Sequence, residues 1–374
     1  MDPQRLLSTF MDLVRIDSPS KHEAAVAQYC AKALSEAGCE VTFDNGGLKA
    51  GSDTGNLYAV LPGTAGGSVI FTAHMDCVQP CEGVEPVITD GIIHTDGTTV
   101  LGGDDKVGVA AIIEAVRCLH AQSEPHATVK VIFTVQEEVG CCGAKTLDAG
   151  SFEPGEPCFV FDMDGNPGGV TVGAPYHYTF EARFIGKASH AGCAPEQGIH
   201  AVVAACKAVA LMRERGCIGA VGPNAAANVG SVTGGGANNV IADSCRVTGE
   251  CRAVDRDLCE ANKELMMRCL EDGAASEGAK VEQSWELEYD GFLLADDDST
   301  VLLAKQAAQM CNLPFWTEVS AGGSDANIFT SLGVAPCVVA TGMTGFHSVS
   351  ESLKVKDLED SARMACALAV VAAK

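Results

Sequence analysis

Three short stretches concentrate the residues able to do chemistry. His74 and Asp76 follow the apolar run Val69-Ile70-Phe71-Thr72-Ala73. Asp104 lies in Gly103-Asp104-Asp105-Lys106. Glu137 and Glu138 close Val131-Ile132-Phe133-Thr134-Val135-Gln136. A His and an Asp two residues apart at a strand end point to the same side, because strand side chains alternate. An Asp so placed can hold an imidazole in one tautomer and aim its other nitrogen at a metal. Two further stretches add donors: Phe161-Asp162-Met163-Asp164-Gly165, where either Asp could serve, and Gly345-Phe346-His347-Ser348.

Nitrogen and oxygen donors without thiolate suit Zn²⁺, and also Co²⁺ or Mn²⁺. His74, Asp104, Glu138, one Asp of the 162/164 pair and His347 are too many for one catalytic zinc with an open position. They fit two ions that share a bridging carboxylate, a pair that lies roughly 3.5–4 Å apart in such sites. The chemistry then needs a carboxylate that takes a proton from water and returns it to a leaving amine. Glu137 is the candidate. Adjacent residues at a strand end point apart, so Glu137 and Glu138 divide the two roles.

The elements that must position these groups are legible from periodicity. Helices are expected over about 2–17 and 21–37, the second closed by Gly38, and a strong one over Asp105 to Leu119, with Val109, Ile112, Ile113 and Val116 at helical spacing. Val41 to Phe43, Leu57 to Val60, Val69 to Ala73, Val131 to Gln136 and Cys158 to Phe161 read as strands. This alternation predicts an α/β domain with a mixed sheet flanked by helices. Near Tyr176 the pattern changes. Tyr178 to Phe184 alternates as an antiparallel strand with one solvated face would. Helix 196–214, strands Ala227 to Val232 and Ser244 to Arg252, helix 256–273 and strand Val281 to Tyr289 complete a β-α-β-β-α-β set. An α+β, ferredoxin-like domain over 177–289 is therefore expected inside a catalytic domain made of 1–176 and 290–374.

The set His-x-Asp, Gly-x-Asp-x-Lys, Glu-Glu and a late His resembles the M20 metallopeptidase family, and its extended motifs resemble the peptidase T-like (tripeptide aminopeptidase-like) branch. Those motifs are Asp96-Gly97-Thr98-Thr99, Leu101-Gly102-Gly103-Asp104-Asp105-Lys106, Gln136-Glu137-Glu138, Phe161-Asp162-Met163-Asp164-Gly165, Gly186-Lys187-Ala188-Ser189-His190-Ala191-Gly192 and Gly322-Gly323-Ser324-Asp325-Ala326-Asn327. They span nearly the whole chain in the family's order. The resemblance implies that His74, Asp104 and Asp164 hold one metal and Asp104, Glu138 and His347 the other. In the 162/164 pair the Asp-Gly pattern favours Asp164. Asp76 would orient His74, and Glu137 would be the general base. His190 would reach a partner's site in a dimer to stabilise the oxyanion. Arg252 and Asn239 would bind the substrate's carboxylate or carbonyl, and a cis peptide would join Asp104 to Asp105. Ser324, Asp325 and Asn327 are taken as a substrate-site loop. The implied cofactors are two divalent ions per chain, zinc before cobalt or manganese. The implied partners are a small peptide substrate and a second copy of the chain, docked through the inserted domain.

Bulk composition narrows the rest. With 25 Lys+Arg against 49 Asp+Glu the net charge is −24, so phosphate backbones and anionic lipid surfaces are repelled. No run of eighteen apolar residues predicts a membrane span, and the N-terminus reads as an amphipathic helix rather than a signal peptide. The 18 Cys are scattered through apolar and helical segments without a C-x-x-C pair. They read as small core residues of a reduced, cytoplasmic protein. The leading expectation is an aminopeptidase of small peptides. The same metal core would also serve an amidohydrolase of N-acyl or N-carbamoyl amino acids. An inactive metal-binding scaffold would need neither Glu137 nor Asp76.

Overall fold

The computed structural model describes residues 1–122 and 124–373. The chain divides into two units. The first comprises Met1–Gly173, Leu294–Val319 and Ser324–Lys374; the second comprises Ala174–Leu293 with Ser320–Gly323. The expected inserted segment, 177–289, lies within the second.

The first unit is built on a mixed sheet. Four neighbouring strands run parallel, in the order Thr128–Thr134, Ser68–His74, Pro157–Met163, Ala335–Ala340. Their sequences are near-continuous apolar runs, as strands covered on both faces must be. Leu57–Leu61 and Glu40–Phe43 extend one side antiparallel, and Gly169–Ala174 lies beyond Ala335–Ala340 on the other. The helix Gly103–Ala121 packs on this sheet and against Val355–Val371, and it is buried almost from end to end. Its apolar neighbours Phe71, Phe159 and Phe161 form a tilted and edge-on aromatic stack in the core. Because the four central strands are parallel, their carboxyl ends open on one edge, which is where ligand crevices form in α/β sheets. A separate four-stranded sheet joins Val87–Thr89, Ile92–His94, Ser352–Lys354 and Met343–Thr344. His347 lies in the loop between the last two.

The second unit is a five-stranded antiparallel sheet in the order Gly219–Gly222, Ala225–Gly234, Ser244–Ala253, Tyr176–Ile185, Lys280–Tyr289. Without the short first strand this is the ferredoxin-like order, with the first strand of the motif between its third and fourth. Phe180, Ala182 and Phe184 are buried and alternate with exposed Glu181 and Arg183. That burial pattern is the one the sequence alternation implies. The helices Ala201–Glu214 and Arg256–Ser276 supply the other half of this core through Ala204, Ala208, Met212, Met266 and Leu270.

All 18 Cys are free thiols, and most are buried. Among the described residues no helix is long and apolar enough to cross a membrane.

Candidate functional site

His74 ends its strand beside Thr134, its register partner on the neighbouring strand. The carboxyl ends of these two strands therefore bring His74 next to the Gln136-Glu137-Glu138 turn. The ring is buried, and its Nδ1 lies 3.0 Å from the backbone oxygen of Asp76. That carbonyl takes the Nδ1 proton and leaves Nε2 free as a metal donor. The Asp76 carboxylate has a second task. Its Oδ1 accepts the Glu137 N–H at 3.0 Å; its Oδ2 accepts the Glu138 N–H at 3.3 Å and the Ser20 hydroxyl at 2.7 Å. Asp76 thus fixes the imidazole through its main chain and the Glu-Glu turn through its side chain.

Asp104 stands between two imidazoles. Its Oδ1 is 3.0 Å from His74 Nε2, and its Oδ2 is 3.1 Å from His347 Nε2. His347 Nε2 is also 2.9 Å from Glu138 Oε2. The loop that presents Asp104 is held from several sides. Gly102 takes a left-handed φ of 73°, a conformation glycine adopts without strain. Glu351 accepts the N–H groups of Gly102 and Asp104, each at 2.8 Å. Asp105 accepts from the backbone N–H of His74 and of Gly108, each at 3.2 Å. The Asp104–Asp105 peptide is cis, as the family resemblance implies.

The fifth expected donor needs correcting. Asp162, not Asp164, faces the cluster: its Oδ1 is 3.7 Å from His74 Nε2, while Asp164 is exposed. Two residues apart on a strand, both could have faced the same way. The strand, however, ends at Met163, and Asp164 lies in the turn that follows, with Gly165 at φ 86°.

The charge balance of this crevice suits a bound cation. Burial works against the charged His74 ring, yet its hydrogen bonds to Asp104, Asp162 and Asp76 outweigh it and hold the pKa well above the ordinary histidine value. Burial also opposes ionised Asp104, but the two imidazoles keep its pKa below the usual carboxylate range. Asp162 is pushed up to about 7 by burial, against the pull of His74. Glu137 is raised well above its ordinary value by burial and then by the Asp162 charge. The donor atoms of His74, Asp104 and Glu138 all lie within 4.8 Å of one another, and Glu138 Oε1 is buried without a hydrogen-bond partner. A buried, under-neutralised set of carboxylates and imidazoles with an orphaned oxygen fits divalent metal.

The remaining expected residues fall into two groups. Ser324 and Asn327 form a capping box at the start of the helix Asp325–Ser331: Ser324 Oγ accepts from the Ala326 N–H, and Asn327 Oδ1 from the Ser324 N–H at 3.1 Å. Asp325 is buried and accepts the Thr134 hydroxyl at 2.5 Å. It lies beside Glu137 and Cys141, their ligand-type atoms within 4.8 Å of one another. His190, Asn239 and Arg252 belong to the second unit. His190 is exposed, and its Nδ1 accepts the backbone N–H groups of Gly192 and Cys193, each at 3.1 Å. Its proton therefore sits on Nε2. Asn239 is exposed on the strand-like segment facing His190 and gives its carbonyl to the Ala191 N–H. Arg252 pairs with Glu250 at 2.7 Å, and Glu250 also receives His177 Nε2 at 2.8 Å. Ser20, Glu351 and Asp105 were not anticipated as supports. Only Asp105 carried a signal, its place inside the Gly-x-Asp-x-Lys motif.

A buried carboxylate bridging two imidazoles at the open edge of a parallel sheet, with a spare carboxylate beside it, defines a metal-dependent hydrolase. Residues 70–370 match the sequence profile described as peptidase family M20/M25/M40, and the chain belongs to that family. It is 37% identical to the uncharacterized protein YqjE of Bacillus subtilis (strain 168), over 100% of both chains. Among solved structures, it is similar to aminopeptidase PepT from Bacillus cereus ATCC 10987, with a TM-score of 0.93 and 35% identity over 100% of each chain. A tripeptidase from Staphylococcus aureus also gives a TM-score of 0.93, with 31% identity over 100% of this chain and 99% of that one. The enzyme is thus an M20 peptidase of the peptidase T-like branch.

Proposed function

We propose that this enzyme removes the N-terminal residue from small peptides, tripeptides or similar, using two divalent ions per chain, with zinc the favoured metal. The observation that carries the reading is Asp104, whose two oxygens each meet a different imidazole. In this reading His74, Asp104 and Asp162 hold one ion, and Asp104, Glu138 and His347 the other. Bound there, the ions would acidify a water and polarise the scissile carbonyl. Glu137 takes the water's proton and delivers it to the departing amine. Asp76 keeps His74 in its Nδ1–H tautomer and holds the backbone under Glu137. The kinship with proteins described as an aminopeptidase and a tripeptidase supports the substrate class. The eighteen free thiols favour a reducing, cytoplasmic setting.

The test is a panel assay with the zinc- or cobalt-loaded protein. Tripeptides with a free amino end should release their first residue, and N-acetylation of the same tripeptides should abolish turnover. Faster hydrolysis of N-acyl or N-carbamoyl amino acids than of any peptide would replace this reading with an amidohydrolase.

His190 supplies an Nε2–H donor to the developing oxyanion, and we place it in the partner's site of a homodimer formed through the inserted domain. Arg252 and Asn239 bind the substrate's carboxylate or carbonyl. Mixed dimers of Glu137→Ala and His190→Ala, verified with two affinity tags, should recover up to about half of the wild-type activity, because one of two sites is then intact. Verified mixed dimers without activity, or a fully active monomer, would rule out action in trans.

A further inference from the structure

The turn after Glu137 does more than present the base. Backbone bonds from Gly140 and Cys141 N–H to the Glu137 carbonyl, at 2.9 and 2.8 Å, fold the chain back on itself, with Cys141 at φ 55°. The fold returns the Cys141 thiol to the Glu137 side chain, where Sγ donates to Oε1 at 3.5 Å. Asp325 comes to the same point from the start of its helix. Its Oδ2 is engaged by Thr134, but its Oδ1 is buried and has no hydrogen-bond partner. Cys141 and Asp325 are each 3% exposed or less, while Glu137 is half-buried and gives the group its opening. The three ligand-type atoms lie within 4.8 Å of one another.

We propose that Glu137, Cys141 and Asp325 form a third cation site, distinct from the two-ion centre, that takes Zn²⁺ or a softer thiophilic divalent ion such as Cd²⁺ and inhibits the enzyme. One sulfur and two carboxylates, with a fourth position left for water, is a donor set zinc accepts. Hard ions that prefer all-oxygen shells do not favour it. On binding, the Cys141 thiol releases its proton to solvent and the sulfur lone pair forms the metal–sulfur bond. Burial and the two carboxylates hold this thiol protonated until a cation arrives. Filling the site captures the Glu137 carboxylate, so the group that must move protons is no longer free to do so. The inhibitory consequence rests on the reading of Glu137 as the base; the binding of the cation does not.

The zinc-loaded enzyme is titrated with CdCl₂ while thiolate-to-cadmium charge-transfer absorption and peptide hydrolysis are followed together. The two-ion centre offers no sulfur, so absorption present in wild type and missing from Cys141→Ser reports the third site alone. The half-inhibitory Cd²⁺ concentration, each protein normalised to its own activity without added cadmium, should rise at least roughly tenfold in Cys141→Ser. Loss of even an outer-shell partner costs 10–100-fold in metal affinity. MnCl₂ at the same concentrations should not inhibit. Cys141→Ala repeats the comparison should the serine variant fold poorly. Identical absorption in wild type and both variants overturns the site, and unchanged inhibition in them overturns its inhibitory role. Full peptidase activity in Glu137→Gln would sink the base assignment, while Cys141-dependent absorption in the wild type would leave the cation site standing.

Discussion

Replacing Glu137 by alanine should lower kcat by at least roughly 10²-fold and leave two metal ions per chain in place. Proton transfer by a positioned side chain contributes about 10²–10⁴-fold, and the other carboxylates described in the crevice each have at least one oxygen engaged elsewhere. Asp104 and Glu138 lie against imidazoles, Asp76 is engaged by two backbone N–H groups and Ser20, and Asp325 is held by Thr134. The expected metal retention follows from how the turn is built. Glu138 reaches the His74–Asp104 donor group, whereas the Glu137 side chain joins Cys141 and Asp325 instead. The Glu137 and Glu138 N–H groups are anchored by Asp76 whatever side chain occupies position 137, so truncation should not displace Glu138. Metal content by elemental analysis, with kcat and KM on the same tripeptide, separates the cases. Activity that falls only in proportion to lost metal would make Glu137 a ligand rather than a base.

The crevice was largely legible because His74, the Glu137-Glu138 pair and Asp162 sit at the ends of apolar runs, and such runs announce buried parallel strands. His74 and the Glu-Glu pair follow this rule, and their adjacency is the strand register itself. Asp162 against Asp164 failed for the complementary reason. Period two makes the residues equivalent along a strand, and only the strand's last residue, which local pattern fixes poorly, tells them apart. Ser324 and Asn327 also close a capping box, a role their sequence does not announce because the usual signature carries Glu or Gln at its fourth position; Asn327 fills it with a shorter amide. Glu351 could not have been found. It binds the Gly102 and Asp104 backbone from 249 and 247 residues away, and nothing in its own neighbourhood reports that contact. The four-stranded sheet that frames His347 was missed because strands of two or three residues carry no measurable periodicity.

Asp104→Ala should abolish activity and empty both metal positions, whereas His347→Ala should weaken chiefly one. The asymmetry comes from the two carboxylate oxygens. Oδ1 serves the His74 side and Oδ2 the His347 side, so a single truncation removes a donor from each ion. His347 has one nitrogen in the site, shared between Asp104 and Glu138, and its side chain is about half exposed. The loop itself should survive the loss of the Asp104 carboxylate. Its backbone is held by Glu351 and by the neighbouring Asp105 rather than by the Asp104 side chain. A folded but metal-poor protein is therefore expected, and circular dichroism checks the fold before any titration is interpreted. Calorimetric titration of the metal-stripped variants with Zn²⁺ should give near-zero high-affinity stoichiometry for Asp104→Ala and close to one for His347→Ala. Metal binding to a preformed site also adds to folding stability. Added zinc should accordingly raise the melting temperature most in wild type, less in His347→Ala and least in Asp104→Ala. Loss of one ion in each variant, with equal melting shifts, would mean that Asp104 belongs to a single metal and that its second oxygen meets His347 only as a hydrogen-bond partner.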